Sequence, residues 1–139
     1  METLEGLERA ERIDWLISLA EHFREVPERI ARRPFPDERR VPGCESQAFV
    51  WSEENPDGTL SFHFAVENPQ GISAKALAVI LDRTLSGEAR EAISSVPAGI
   101  VERIFGRELS MGKSLGLAGM LQAVQREARA RRGVSPAAR

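Results

Sequence analysis

Residues 55–58 read Asn-Pro-Asp-Gly, a dense turn signal set between two runs of strand-forming residues, Gln47–Ser52 and Thr59–Ala65. Proline fixes one backbone angle, Asp and Asn bond their own backbone, and glycine supplies the left-handed position, so this spacing predicts an antiparallel hairpin. In the second run Leu60, Phe62 and Phe64 alternate with Ser61 and His63. One face of the hairpin is therefore expected against helices and the other toward water.

Helical patterns flank this hairpin on both sides. Between Arg12 and Arg24 the apolar residues Ile13, Leu16, Ile17, Ala20 and Phe23 recur at three- and four-residue steps, which lines one face of a helix. Pro27 closes that helix, and 32–37 (Arg-Arg-Pro-Phe-Pro-Asp) reads as an irregular connection. After Asn68-Pro69-Gln70-Gly71 the chain turns helical, with Ser86-Gly87-Glu88 as a candidate cap, Pro97-Ala98-Gly99 as a break, and Ser114 as candidate cap of a last helix. That helix carries the stripe Leu117, Met120, Leu121 and Val124, and ends in the arginines 126, 129, 131 and 132, which oppose its dipole. Helix, small antiparallel sheet, then several helices packed on it is an α+β arrangement. A length of 139 residues suits a single domain over 1–139, with about 133–139 expected as a flexible tail.

Bulk properties remove several function classes. A formal charge of -2 and a pI near 5.8 provide no global attraction to phosphate backbones or anionic membranes, so neither nucleic acid nor membrane is expected as a partner. The first residues carry no basic and apolar leader, and no apolar run approaches the roughly twenty residues of a membrane span. A cytoplasmic location is the expectation. With one cysteine there is no internal disulfide, which agrees with a reducing compartment.

That cysteine, Cys44, lies in Val41-Pro42-Gly43-Cys44-Glu45-Ser46-Gln47, just before the first strand. A buried structural thiol is one reading. The polar and turn-forming neighbours favour the other, a reactive thiol presented on a loop, with Pro42 and Gly43 shaping the turn. A closed zinc site wants about four Cys or His ligands, and here only Cys44, His22 and His63 are on hand, without ligand spacing. No metal is expected. His63, on the strand paired with the one after Cys44, is the best candidate for a Cys-His pair, but no orienting group or oxyanion hole is marked. Gly112-Lys113-Ser114 lacks the earlier glycine of a phosphate loop and reads as the opening of the last helix.

The string 41–51, Val-Pro-Gly-Cys-Glu-Ser-Gln-Ala-Phe-Val-Trp, resembles the cysteine motif of the SufE family, the sulfur acceptors of iron–sulfur cluster assembly. The likeness extends to Trp15-Leu16 and Leu19-Ala20, to 72–81, and to 113–117 (Lys-Ser-Leu-Gly-Leu). Where the family usually has arginine and a polar amide, this chain has Lys113 and Leu115; acids common before the central helix are replaced by Glu67-Asn68-Pro69-Gln70-Gly71.

The resemblance implies the α+β sandwich shared with IscU-type scaffolds. It also implies Cys44 as a persulfide carrier in a loop made of Val41, Pro42, Gly43, Glu45, Ser46 and Gln47. Lys113 and Gly116 would help to bind partners. These would be a cysteine desulfurase of the SufS type, whose own pyridoxal phosphate makes the persulfide, and a scaffold such as SufB. The chain itself would hold no cofactor, have no independent activity, and stimulate the desulfurase. Two rivals stay open: a stand-alone thiol enzyme, either peroxidase or sulfurtransferase, and an allosteric activator of the desulfurase in which Cys44 is structural.

Overall fold

The computed structural model describes residues 9–43, 47–69, 71–106 and 111–132. Helix α1 spans Arg9–Ala20; a single 3-10 turn, Asp37–Arg39, precedes strands β1, Ala48–Glu54, and β2, Leu60–Val66. Helices α2 (Ile72–Leu85), α3 (Arg90–Ser94), α4 (Ile100–Phe105) and α5 (Met111–Arg132) follow. This is the α+β order expected: an N-terminal helix, a two-stranded antiparallel sheet, and helices packed against it.

The hairpin forms where its turn chemistry places it. Ala48 pairs with Val66 and Glu54 with Leu60, and each strand sits one residue later than the sequence patterns suggest at its start. At the turn, the Asp57 carboxylate accepts from Thr59 N–H at 3.0 Å and from Thr59 Oγ1 at 2.6 Å. Those bonds, the side-chain one first, hold its carboxyl below the ordinary range. Gly58 takes φ +87°, a left-handed position that any other residue would occupy under strain.

Leu60, Phe62 and Phe64 point into the main core with Leu77 and Leu81 of α2 and with Met120, Leu121 and Val124 of α5. The other hairpin face was expected in water, and it is covered instead. A second cluster of Val26, Phe35, Phe49, Trp51 and Ala65 closes it, because the segment after α1 runs back along β2. Val26 N–H donates to Phe64 O at 2.8 Å. Phe35 lies 5.2 Å from Phe49 and 5.1 Å from Trp51, ring centre to ring centre, the tilted and edge-on arrangements that aromatic quadrupoles favour.

Four further expectations are corrected. Helix α1 stops at Ala20 in a tight turn, with His22 N–H bonding Leu19 O and Phe23 N–H bonding Ala20 O. Its buried face is Trp15, Leu16, Leu19 and Ala20, while Ile13 and Ile17 are 45% and 40% exposed. The helix is rotated by a fraction of a turn from that expectation, so that its bulkiest side chain, Trp15, packs against the main core. Ser86 does not open α3; it ends α2, its hydroxyl donating to Asp82 Oδ1 at 2.7 Å and accepting from Phe62 N–H at 3.0 Å. Ser114 is not a cap either, since the backbone of α5 is helical from Met111.

On the hairpin's exposed rim the Glu53 carboxylate accepts two hydrogen bonds from Arg29, at 2.6 and 3.0 Å, and one from His63 Nε2 at 3.1 Å. Arg29 first, then His63, holds its carboxyl down from 4.5 to about 2. The folded value lies below the unfolded one, so this contribution to stability is complete above the unfolded value and is lost as pH falls toward about 2. Urea melts from pH 6 to 2.5 are expected to show wild type more stable than Glu53→Gln at the upper end, with the gap closing as acid is added. A gap that stays constant across that range would remove the carboxylate from the account.

Candidate functional site

The chain enters the cysteine segment from a short stem that is buried at Val41. Arg40 forms an isolated bridge with Phe49, and the guanidinium of Arg40 stacks over the Phe49 ring at 5.6 Å. Val41, 1% exposed, donates its N–H to Ala48 O at 2.8 Å. On the return side Gln47 O accepts from Glu67 N–H at 3.1 Å, beyond the last pair of the hairpin. A six-residue connection, 42–47, is thus closed at its neck by one hydrogen bond between its flanking residues.

Two features of α5 fix that neck. Glu127 accepts from Arg39 Nη1 at 3.0 Å through one carboxylate oxygen and from the Ser52 hydroxyl through the other. The chain before the loop and the strand after it are therefore tied to one carboxylate, which is a charge-assisted pairing in a part-buried setting. Higher on the same helix, Gly119 lies under the loop base. A Cβ added there would sit 3.0 Å from Val41 Cγ1 and 3.3 Å from the Pro42 carbonyl oxygen. Only glycine lets Val41 and Pro42 approach this closely without displacement.

Of the residues that the sequence nominated, Val41 is buried at the neck, whereas Pro42, Gly43 and Gln47 are exposed. Gly43 takes φ +72° and Gln47 φ +56°. Gln47 is thus a non-glycine residue in the left-handed region, an unfavourable choice held by the strand that starts at the next position. Cys44, Glu45 and Ser46 lie outside the described residues, as does the Lys113 side chain, although residue 113 falls within α5. Gly116 is buried on α5, one turn before Gly119. Leu115, the family departure, is 63% exposed.

His63 projects toward Glu53 and the hairpin turn, away from the end where Val41 meets Ala48. Among the described residues no group of three or more His, Cys, Asp or Glu could hold a metal ion. No helix among them is long and apolar enough to cross a membrane. Sequence reasoning missed Glu127 and Gly119. For Gly119 a signal exists, since Gly116 and Gly119 lie on one helix face three residues apart, a pattern that permits close approach. Nothing in the local sequence marks Glu127, because its partners are 75 and 88 residues away.

A helix-covered hairpin whose first strand is entered through a neck closed by Val41 and Ala48 defines an α+β protein. Residues 1–128 match the SufE family, described as an Fe-S metabolism associated domain, and the chain belongs to that family. Its role accordingly lies in iron–sulfur metabolism. The fold is similar to that in the solution structure of a hypothetical protein from Thermus thermophilus, with a TM-score of 0.71 and 25% identity over 95% of this chain and 92% of that one. No curated protein matches.

Proposed function

We propose that this protein accepts sulfane sulfur on Cys44 from a cysteine desulfurase of the SufS type and hands it to an iron–sulfur scaffold such as SufB. The observation that carries this reading is the neck: the chain's one thiol falls in a six-residue connection whose two ends are bonded to each other and anchored to α5. Family membership supplies the metabolic setting.

The chemistry needs only a thiolate and a donor. Cys44 as thiolate attacks the outer sulfur of the donor's persulfide; a new S–S bond forms, the donor's S–S bond breaks, and the donor cysteine leaves as thiolate. Thiol and disulfane exchange places without a net oxidant. A second exchange of the same type passes the sulfur onward. Because one cysteine cannot resolve a persulfide into an internal disulfide, the sulfur waits for a second protein.

Pyridoxal phosphate belongs to the desulfurase in this scheme, and the protein works as a relay without turnover of its own. The test is intact-mass measurement after incubation with a desulfurase and cysteine. A gain of one or more sulfur atoms that peptide mapping confines to Cys44 is expected. An unchanged mass, with the desulfurase demonstrably loaded, overturns the proposal.

A further inference from the structure

The outward edge of β2 is covered at three points between Leu60 and Phe64. Leu60 O accepts from Gly87 N–H at 2.8 Å, Phe62 N–H donates to Ser86 Oγ at 3.0 Å, and Phe64 O accepts from Val26 N–H at 2.8 Å. Bonds from Asn55 N–H to Thr59 O and from Glu67 N–H to Gln47 O set the ladder's phase, so Ser61, His63 and Ala65 exchange bonds with β1. The carbonyl of Phe62 and the N–H of Phe64 consequently point away from β1. The described residues give neither group a hydrogen-bond partner.

Phe62, His63 and Phe64 line a cavity of about 510 Å³ between the 22–27 segment, β2 and α2. That volume is in the range of ordinary ligand sites. Of its acids, Glu25 is paired with Arg33 through both carboxylate oxygens, whereas Asp82 accepts only the neutral Ser86 hydroxyl and keeps its charge. Arg24 and Arg83, both exposed and both lining the cavity, form no ion pair or hydrogen bond with any described residue. Two arginines against the one carboxylate of Asp82 leave the balance of unpaired charge positive, and Ala78 and Val79 form a small apolar wall.

An open carbonyl and an open N–H on either side of His63 match one residue of a parallel strand. Its N–H would donate to Phe62 O, and its carbonyl would accept from Phe64 N–H. A simple oxyanion would satisfy only the N–H and would face the Phe62 carbonyl unfavourably. Val26 closes the edge beyond Phe64, so a strand cannot continue past that point and a chain end fits, its preceding residues leaving the edge before Ser86.

We propose that this cavity binds the C-terminal end of an extended peptide. The last residue's N–H pairs with Phe62 O, and its carboxylate accepts from Phe64 N–H and from Arg24 and Arg83. The site is independent of the sulfur chemistry assigned to Cys44.

The probe is N-acetyl-Gly-Ala with a free carboxylate, titrated into the full-length protein and followed by amide proton–nitrogen spectra. The Phe64 and His63 amides are expected to shift saturably. The carboxamide form of the peptide, and the exposed-site variants Arg24→Gln and Arg83→Gln, are each expected to bind about tenfold more weakly, the loss of one charged hydrogen bond. Three results overturn the proposal: a Phe64 amide that does not move, equal binding of the carboxamide, or inorganic phosphate producing the same shifts at the same concentration.

Discussion

Cys44→Ser is expected to take up no sulfane sulfur from a desulfurase loaded with radiolabelled cysteine sulfur, whereas wild type is labelled within the same incubation. The serine hydroxyl is close to thiol in size, so the neck formed by Val41 and Ala48 has no reason to open. What disappears is the nucleophile, since a hydroxyl does not ionise near neutral pH and cannot form the persulfide bond. Equal labelling of the two proteins would end the acceptor reading. The same preparation separates the rivals. Cys44→Ala that still stimulates the desulfurase would assign the cysteine a structural place and the protein an allosteric one, while peroxide or thiosulfate consumption by the protein alone would make it a thiol enzyme.

Gly119→Leu is expected to slow sulfur transfer by on the order of tenfold to a hundredfold, the scale of a displacement of about 1 Å at a reacting group. The leucine Cβ alone reaches 3.0 Å from Val41 Cγ1, and the rest of the side chain must enter space that Val41 and Pro42 occupy. Overpacking of this kind costs about 1–3 kcal/mol, offset in part by about 1 kcal/mol gained when glycine leaves a helix interior. The fold therefore survives and the loop base moves. Gly119→Ala is the graded control, with a smaller loss. Alkylation of Cys44 by iodoacetamide should continue in both variants, which distinguishes a misplaced thiol from a lost one. A folded Gly119→Leu that transfers at the wild-type rate would show that the anchor does not matter.

The sequence spoke most clearly where structure is decided locally. Asn55-Pro56-Asp57-Gly58 makes its turn with its own side chains, and Leu117, Met120, Leu121 and Val124 keep one helical face whatever they meet; all four are buried. It spoke least clearly where a distant partner decides. The spacing of Ile13 and Ile17 is as regular as that of Leu16 and Ala20, yet the core receives the Trp15 side and leaves both isoleucines half in water. Ser86 and Ser114 carry ordinary cap signals, but one serine is held by Phe62 on the sheet and the other falls inside a helix that starts earlier. The covered outer face of the hairpin needed Val26 and Phe35 from a stretch that reads as mere connection.

The same division holds for the site. Cys44 and its motif stand out in the sequence because they are contiguous. The stem that holds them draws on Arg39, Ser52, Gly119 and Glu127, and the open strand edge draws on residues from three segments. Neither grouping has a spacing that could be read in advance.

The double use of Glu127 has a consequence for how this molecule breathes. Arg39 and Ser52 flank the loop on its two sides, and both are fastened to a carboxylate on the longest helix. Amide groups of the stems should thus exchange with solvent deuterium together with those of α5, as one cooperative unit near the global opening energy, rather than at the rate of a surface loop. In the proposed scheme a partner meets a segment whose two stems move only with the core of the protein, so the distance between Val41 and Ala48 stays fixed while sulfur is exchanged.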